Sequence, residues 1–264
     1  MNQACRQHNL LRRLALTLLT GLLLCGNSYA SDVHVAIIID DLGHNLKRGE
    51  AFINLPAPIT LAVLPHTSHA ITIANAAHGA KKEVIVHLPM ANLANTPIGP
   101  GGLTANLPRV EFMTALDAAI RAVPFARGVN NHTGSYLTQQ SQQMNWLMSD
   151  MKEREFFFID SLTTSKSVAI KVAEQHHVFA SSRDIFLDND RNPAAIDAAF
   201  QLMIKKAQQN GTAIAIGHPY PETLHYLKYA LPKLKEMGIE IVSASNLIAL
   251  QKIKPQTEPM AAAD

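Results

Sequence analysis

Beyond Cys25 the sequence contains no cysteine, and the only other one is Cys5. A disulfide framework and thiolate chemistry are therefore excluded from nearly the whole chain. No repeat of fixed period is present. Neither sign of charge dominates. The 23 basic and 21 acidic residues become 20 against 21 once Arg6, Arg12 and Arg13 are set aside with the first thirty residues. Such a balance offers no electrostatic case for nucleic acid or for a polybasic membrane contact. The Gly99–Gly102 stretch lacks the Lys and Ser of a following helix start, so it is not a phosphate cradle.

Long apolar runs are also missing. The longest, Leu14 to Leu24, falls short of the ~20 residues that a spanning helix needs. It follows a basic start and precedes Ser28-Tyr29-Ala30, small residues suited to cleavage before Ser31. Residues 1–30 are predicted to be a secretory signal removed after Ala30, with an uncleaved anchor as the alternative. The mature chain is then periplasmic, with no stable membrane span. About 234 residues remain, enough for one large core and short of two domains. A single domain over 31–251 is expected. The tail 252–264, with Pro255 and Pro259, reads as disordered.

Short apolar segments alternate with helical ones. Strands are expected at Val35–Ile39, Ile59–Val63, Val84–Val86, Arg127–Asn130, Phe156–Ile159, Ile185–Leu187, Ala213–Ile216 and Ile239–Val242. Between them lie helical patterns such as Pro108–Ala122, Gln139–Glu153, Pro193–Gln209 and Glu222–Met237. Strands apolar on both faces belong to a parallel sheet covered by helices. Seven or eight βα units in one domain point to an α/β fold of the distorted (β/α)7-8 barrel type, with an open doubly wound sheet as the alternative. The long segment from Ala91 to Asn106 reads as a binding loop or lid.

In parallel βα folds the ligand site lies at the carboxyl ends of the strands. Here those ends carry Asp40-Asp41, His66, His87, Asn130-Asn131-His132, Asp160, Asp188 and His218 in chain order. One polar residue after a strand is ordinarily a cap or turn. Four histidines among seven strand ends are not explained that way. Two adjacent carboxylates reach one site only if the strand bends between them, because successive side chains point to opposite faces. A cation would relieve their repulsion. Asp41, His87 and His132, with an open position for water, suit a catalytic Zn2+ ion, although iron(II), cobalt or manganese would accept the same donors. Asp40 would take the proton of the water and His218 would protonate a leaving group. Asp160 or Asp188 would orient one of these groups, and His66 would line the mouth. Backbone N–H groups near Asn130 and Asn131, or the metal, would hold an oxyanion.

The motifs "AIIIDDLG", "EVIVHLPM", "GVNNHTGS", "FFFIDS", "IFLDN" and "AIGHP", in this order, resemble the divergent polysaccharide deacetylases, a branch of the NodB-like carbohydrate esterase superfamily. The resemblance implies a NodB-like distorted barrel and metal-dependent removal of acetyl groups from amino sugars. It implies Asp40 as the base, Asp41 as a metal ligand and His218 as the general acid. The superfamily's His-x-x-x-His run is absent, since Ala91 stands four residues after His87. Its Arg-Pro-Pro-Tyr segment is replaced around Asn130-Asn131, and no tryptophan follows the fifth strand; Trp146 lies in a helical pattern. The leading expectation is a periplasmic metal-dependent hydrolase of the polysaccharide deacetylase type, acting on C–N bonds of a cell-envelope glycan. The alternative is an inactive barrel that binds an envelope glycan or an envelope protein partner. A metal phosphoesterase is disfavoured by the lack of a second metal cluster.

Overall fold

The structure, a computed structural model, describes residues 33–253. The predicted secretory signal and all but the first two residues of the predicted tail lie outside them.

The strands are β1 (Val33–Leu42), β2 (Thr60–Val63), β3 (Glu83–Met90), β4 (Ala126–Thr133), β5 (Phe157–Asp160), β6 (Ala180–Ser182), β7 (Ile185–Phe186), β8 (Thr212–Gly217) and β9 (Ile239–Ile241). The helices are α1 (Leu46–Ile53), α2 (Ala70–Gly79), α3 (Arg109–Arg121), α4 (Ser141–Glu153), α5 (Ala169–Gln175), α6 (Pro193–Asn210), α7 (Pro221–Glu236) and α8 (Ala244–Ile253). Local chemistry sets their limits. In α6, Asn192 caps the first turn by accepting from the Ala194 N–H, Pro193 occupies a position that needs no donor, and Gly211 ends the helix at φ 78°. Its buried face, Ile196, Phe200, Met203, Ile204 and Ala207, follows helical spacing.

The sheet is wholly parallel, in the order β6-β5-β4-β3-β2-β1-β8-β7, with β9 added beside β1. β6 and β7 form its two free edges, yet only Arg183 and Asp184 separate them in the chain. Three Cα steps span at most ~11 Å, so the sheet must curl until its edges stand side by side. The result is a distorted α/β barrel, open at one seam. Backbone bonds from Arg183 N to Asp160 O (2.9 Å) and from Asp184 N to Ile214 O (2.8 Å) tie the crossing residues to either side of the seam.

Strand residues alternate between two cores. Val35, Ile37, Ile39, Val84, Val86, Leu88, Val129, Phe158, Ala213 and Ala215 face the helices. Ala36, Ile38, Ala62, Ile85, Phe157, Ile159, Ile214 and Ile216 fill the barrel interior, joined by Ala244, Leu247 and Ile248 of α8. That last helix closes the amino end of the barrel. Its first turn is held by the Ala244 N–H on Thr60 Oγ1 (3.0 Å) and the Ser245 N–H on Glu83 Oε1 (3.2 Å). β6 and α8 were not legible as elements in the sequence; the expected tail begins inside α8, whose last residues are Lys252 and Ile253.

The long loop is folded rather than loose. Leu103 is fully buried, donates to Pro89 O and accepts from Ala91 N, so the loop returns along β3. Gly101, at φ 71°, lies against the His66 ring; a Cβ there would meet the ring at 2.8 Å.

Candidate metal centre and active site

The interior alternation continues past the apolar layer. On β1 the inward series Ala36, Ile38 leads to Asp40; on β3, Ile85 leads to His87; on β8, Ile214 and Ile216 lead to His218. On β4, Val129 faces the helices, so Asn130 and His132 face inward. After β7, Phe186 faces inward and Asp188 follows it by two. Asp41 has the opposite parity. It reaches the same site because β1 breaks its register with β2 between Ile39 and Leu42, and Asp41 itself adopts φ 56°. The bend demanded by two adjacent carboxylates is therefore a bulge with one left-handed residue, a conformation that asparagine and aspartate tolerate better than most.

Asp41 Oδ1 lies 3.1 Å from His87 Nε2 and 2.9 Å from His132 Nδ1, and the two nitrogens lie 3.1 Å apart. These atoms form a nearly equilateral triangle. The oxygen is buried but has no hydrogen bond of acceptable geometry despite its two close neighbours. Ligand bonds of about 2.0–2.2 Å place the donors of a tetrahedral ion roughly 3.3 Å apart. Two imidazoles and one carboxylate at this spacing, with an orphaned oxygen among them, fit a divalent ion.

Around the triangle each polar group has a fixed partner. Asn130 Nδ2 donates to Asp40 Oδ1 (2.8 Å), and Asn130 Oδ1 accepts from His87 Nδ1 (2.8 Å). The carboxylate fixes which way the amide points, and the amide fixes the proton of His87 on Nδ1. The lone pair of neutral His87 is then on Nε2, the atom in the triangle. Asp40 Oδ2 stands 3.6 Å from that nitrogen. Burial pushes the Asp40 carboxyl above its ordinary pKa, against the pull of His87, His218 and the Asn130 amide. Burial disfavours the charged form of His87, but Asp40, Asp41 and the Asn130 acceptor outweigh it and lift His87 to about 9. Asp41 is opposed by burial as well; its two imidazole neighbours prevail and hold it far below the usual carboxylate range.

The second cluster centres on Asp188. Its Oδ1 lies 2.8 Å from His218 Nδ1, and its Oδ2 accepts from the His218 N–H and from Thr223 Oγ1, both at 2.7 Å. His218 thus presents Nε2 to the mouth. Burial would lower the His218 pKa, but Asp188 with Asp40 and Asp41 raises it.

Other candidates are placed differently. Asp160 faces away from the interior. It accepts from the Leu162 N–H (2.8 Å); of the two carboxylates it is Asp188 that contacts His218. Asn131 also faces outward, where it accepts from the Ser161 N–H and donates to Thr133 O. The backbones of Asn130 and Asn131 lie within the β3–β4–β5 ladders. The Asn130 side chain, by contrast, faces the site, where it bridges Asp40 and His87. His66 is exposed at φ 59° after β2, against Gly101. Sequence reasoning missed Thr223, Ser161 and Arg183. Ser161 lies 3.5 Å from Asn130 Nδ2, and Arg183 clamps Ser161 O and Leu162 O at the seam. Inward parity marks Ser161 beforehand; no sequence signal marks the other two. Cavities of about 760 and 410 Å³ lie at the amino end, around Lys81, Lys82, Arg127 and Phe179, and contain none of these groups.

Among the described residues no helix is long and apolar enough to cross a membrane. The chain is 34% identical over 225 residues, 85% of its length and 70% of the relative's, to the uncharacterized protein YibQ of Escherichia coli (strain K12). A crystal structure of an uncharacterized protein from Agrobacterium tumefaciens C58 superposes with a TM-score of 0.80 at 23% identity, covering 83% of this chain and 91% of that one. The peptidoglycan deacetylase PdaC of Bacillus subtilis shares the fold more distantly, with a TM-score of 0.53 at 14% identity over 84% and 92% of the two chains. So does a CE4 family pseudoenzyme from Bacillus anthracis, with a TM-score of 0.52 at 13% identity over 83% and 66%. The sequence pattern of one family covers residues 37–248, the whole span from the interior of β1 to α8. The chain belongs to the divergent polysaccharide deacetylase family.

Proposed function

We propose that the protein is a periplasmic metal-dependent hydrolase that removes an acetyl or other acyl group from an amino sugar of a cell-envelope glycan. The observation that carries this reading is the convergence of Asp41, His87 and His132 beside a buried carboxylate and a carboxylate-held imidazole.

A divalent ion, with zinc the best match to the donors, polarises an amide carbonyl and acidifies a water when bound in such a site. The chain's own residues account for the proton traffic. Asp40 Oδ1 is engaged by Asn130, which leaves Oδ2 to accept the proton of the attacking water. The water oxygen bonds to the acyl carbon, and the carbon–nitrogen bond breaks as His218 Nε2 delivers a proton to the amine. Asp188 holds the other side of the ring and favours the protonated imidazole that this step requires. Acetate and a free amine leave.

The test is paired. Zinc content of the purified mature protein should be close to one ion per chain and should collapse in His132→Ala. Asp40→Asn should retain zinc and lose turnover on N-acetylated chito-oligosaccharides or peptidoglycan fragments by a factor of ~10² or more. An Asp40→Asn protein as active as wild type would remove the base assignment.

A second reading, a barrel that binds envelope glycan or protein without turnover, draws support from the pseudoenzyme among the structural neighbours. Against it stand the intact Asp40–Asn130–His87 and Asp188–His218 arrangements, which a binder does not require.

A further inference from the structure

Tyr220 has no structural employment that accounts for its position. Its ring belongs to neither apolar core, although the nearby Tyr226 packs on one of them. It occupies the N-cap position of α7 without making a side-chain cap. Yet it is held firmly. Pro219 and Pro221 flank it, and its N–H donates to His218 O at 2.8 Å. The Arg191 guanidinium lies 4.5 Å from the ring centroid, and is itself anchored to Glu222 by bonds of 2.9 and 3.1 Å.

The ring stands beside the general acid, with its centroid 5.6 Å from that of His218. Phe186 stacks 6.1 Å away from His218, under the Arg183 guanidinium at 3.7 Å. His218 is thus neighboured by two aromatic rings, each backed by an arginine. The outer one, Tyr220, is half-buried at the mouth. Its phenol is pushed above the ordinary pKa by burial first, then by the negative charge of Asp188 and Asp41, with Arg191 opposing.

From this geometry we infer that Tyr220, braced from behind by Arg191 and Glu222, is a sugar-stacking subsite adjoining His218, so that the substrate is an oligosaccharide extending from the metal centre across that side of the mouth. The inference rests on the glycan hydrolase reading. A pyranose ring offers an apolar face of C–H groups and a polar edge. A rigid aromatic with one face covered and a hydroxyl at its tip matches both, and the stacking costs little conformational entropy.

The test uses the zinc-loaded mature protein with N-acetylglucosamine, its β-1,4-linked tetramer and soluble peptidoglycan fragments, by calorimetry and by KM. Wild type should bind the tetramer or the fragments more tightly than the monosaccharide. Tyr220→Ala should weaken oligosaccharide binding and raise KM by about five- to tenfold. Tyr220→Trp should stay within about twofold of wild type, and Arg191→Ala should fall between them. Zinc content and melting temperature of each variant separate a local effect from misfolding. Equal affinities for wild type and Tyr220→Ala overturn the subsite while leaving the hydrolase reading intact. Glycan binding that depends on Tyr220 in a protein without turnover upholds the subsite and overturns the hydrolase. A wild-type protein that binds none of the saccharides overturns the subsite and the glycan substrate together.

Discussion

The two ends of the barrel interior are built on the same strands with the same parity and opposite chemistry. At the amino end Ala36, Ile38, Ile85, Ile214 and Ile216 fill the space, sealed by Leu247 and Ile248 of α8. Two residues further along the same strands stand Asp40, His87 and His218. Each buried aliphatic chain at the first end contributes roughly 1.5–3 kcal/mol. At the second end burial is a cost that is offset only where every group finds a partner. Asn130, Thr223 and the His218 backbone N–H are those partners, and Asp41 Oδ1 is an inward-facing atom still without one. One end holds the fold, and the other is held by it.

The largest test of this division compares one strand position at each end. Ile38→Ala should cost about 2–5 kcal/mol of stability and leave zinc stoichiometry intact in the folded fraction. His87→Ala should abolish stoichiometric zinc binding and reduce turnover by about 10³ or more, as measured by metal analysis and initial rates. An Ile38→Ala protein that folds but no longer holds zinc would erase the distinction between the ends.

Next in size is Asp188→Asn. The carboxylate raises the His218 pKa, so with His218 as the proposed acid the rate should fall only above that raised value. Without the charge the alkaline limb should move toward lower pH, and kcat near neutrality should fall about 10- to 100-fold. A pH–rate profile checks the direction; a limb that stays put would dissociate Asp188 from the acid.

Asn130→Leu is expected to act through His87. It removes the acceptor at Nδ1 and the donor to Asp40 together. Zinc affinity should drop about 10- to 100-fold by competition with a chelator. Asn131→Leu, altered one residue away on the outward face, should leave the affinity within about threefold.

Much of this was legible because periodicity carries burial. Strand ends in βα order singled out candidate residues, and Asp41, His87 and His132 do meet. The helical pattern expected over Pro193–Gln209 matches α6 to within one residue at its end. The failures have physical causes. β6, Ala-Ser-Ser, has no apolar signature, since it is an edge strand made by pairing with β5. Asn130 was expected beside the site, but its side-chain bridge was not legible, because an amide between a carboxylate and an imidazole depends on residues 90 and 43 positions distant. Asp41 defied parity through a bulge, which the double aspartate hinted at and no propensity encodes.

Asp160 shows the use of parity at the small end of the scale. By strand position alone it looked equivalent to Asp188, and both are almost wholly buried. On β5 the inward series is Phe157 and Ile159, so Asp160 turns to the helix side, where its Oδ1 accepts the Leu162 N–H. An asparagine can make the same bond through its carbonyl oxygen. Burial raises the Asp160 pKa, against Ser167, the Leu162 N–H and Arg183, so its charge is disfavoured there. Asp160→Asn should therefore change turnover by less than about twofold and stability by less than about 1 kcal/mol. The same exchange at Asp188 should cost at least an order of magnitude in rate. If rates of the two variants instead fell alike, the orientation of the strand end, rather than its presence, would cease to be what separates a structural carboxylate from a working one.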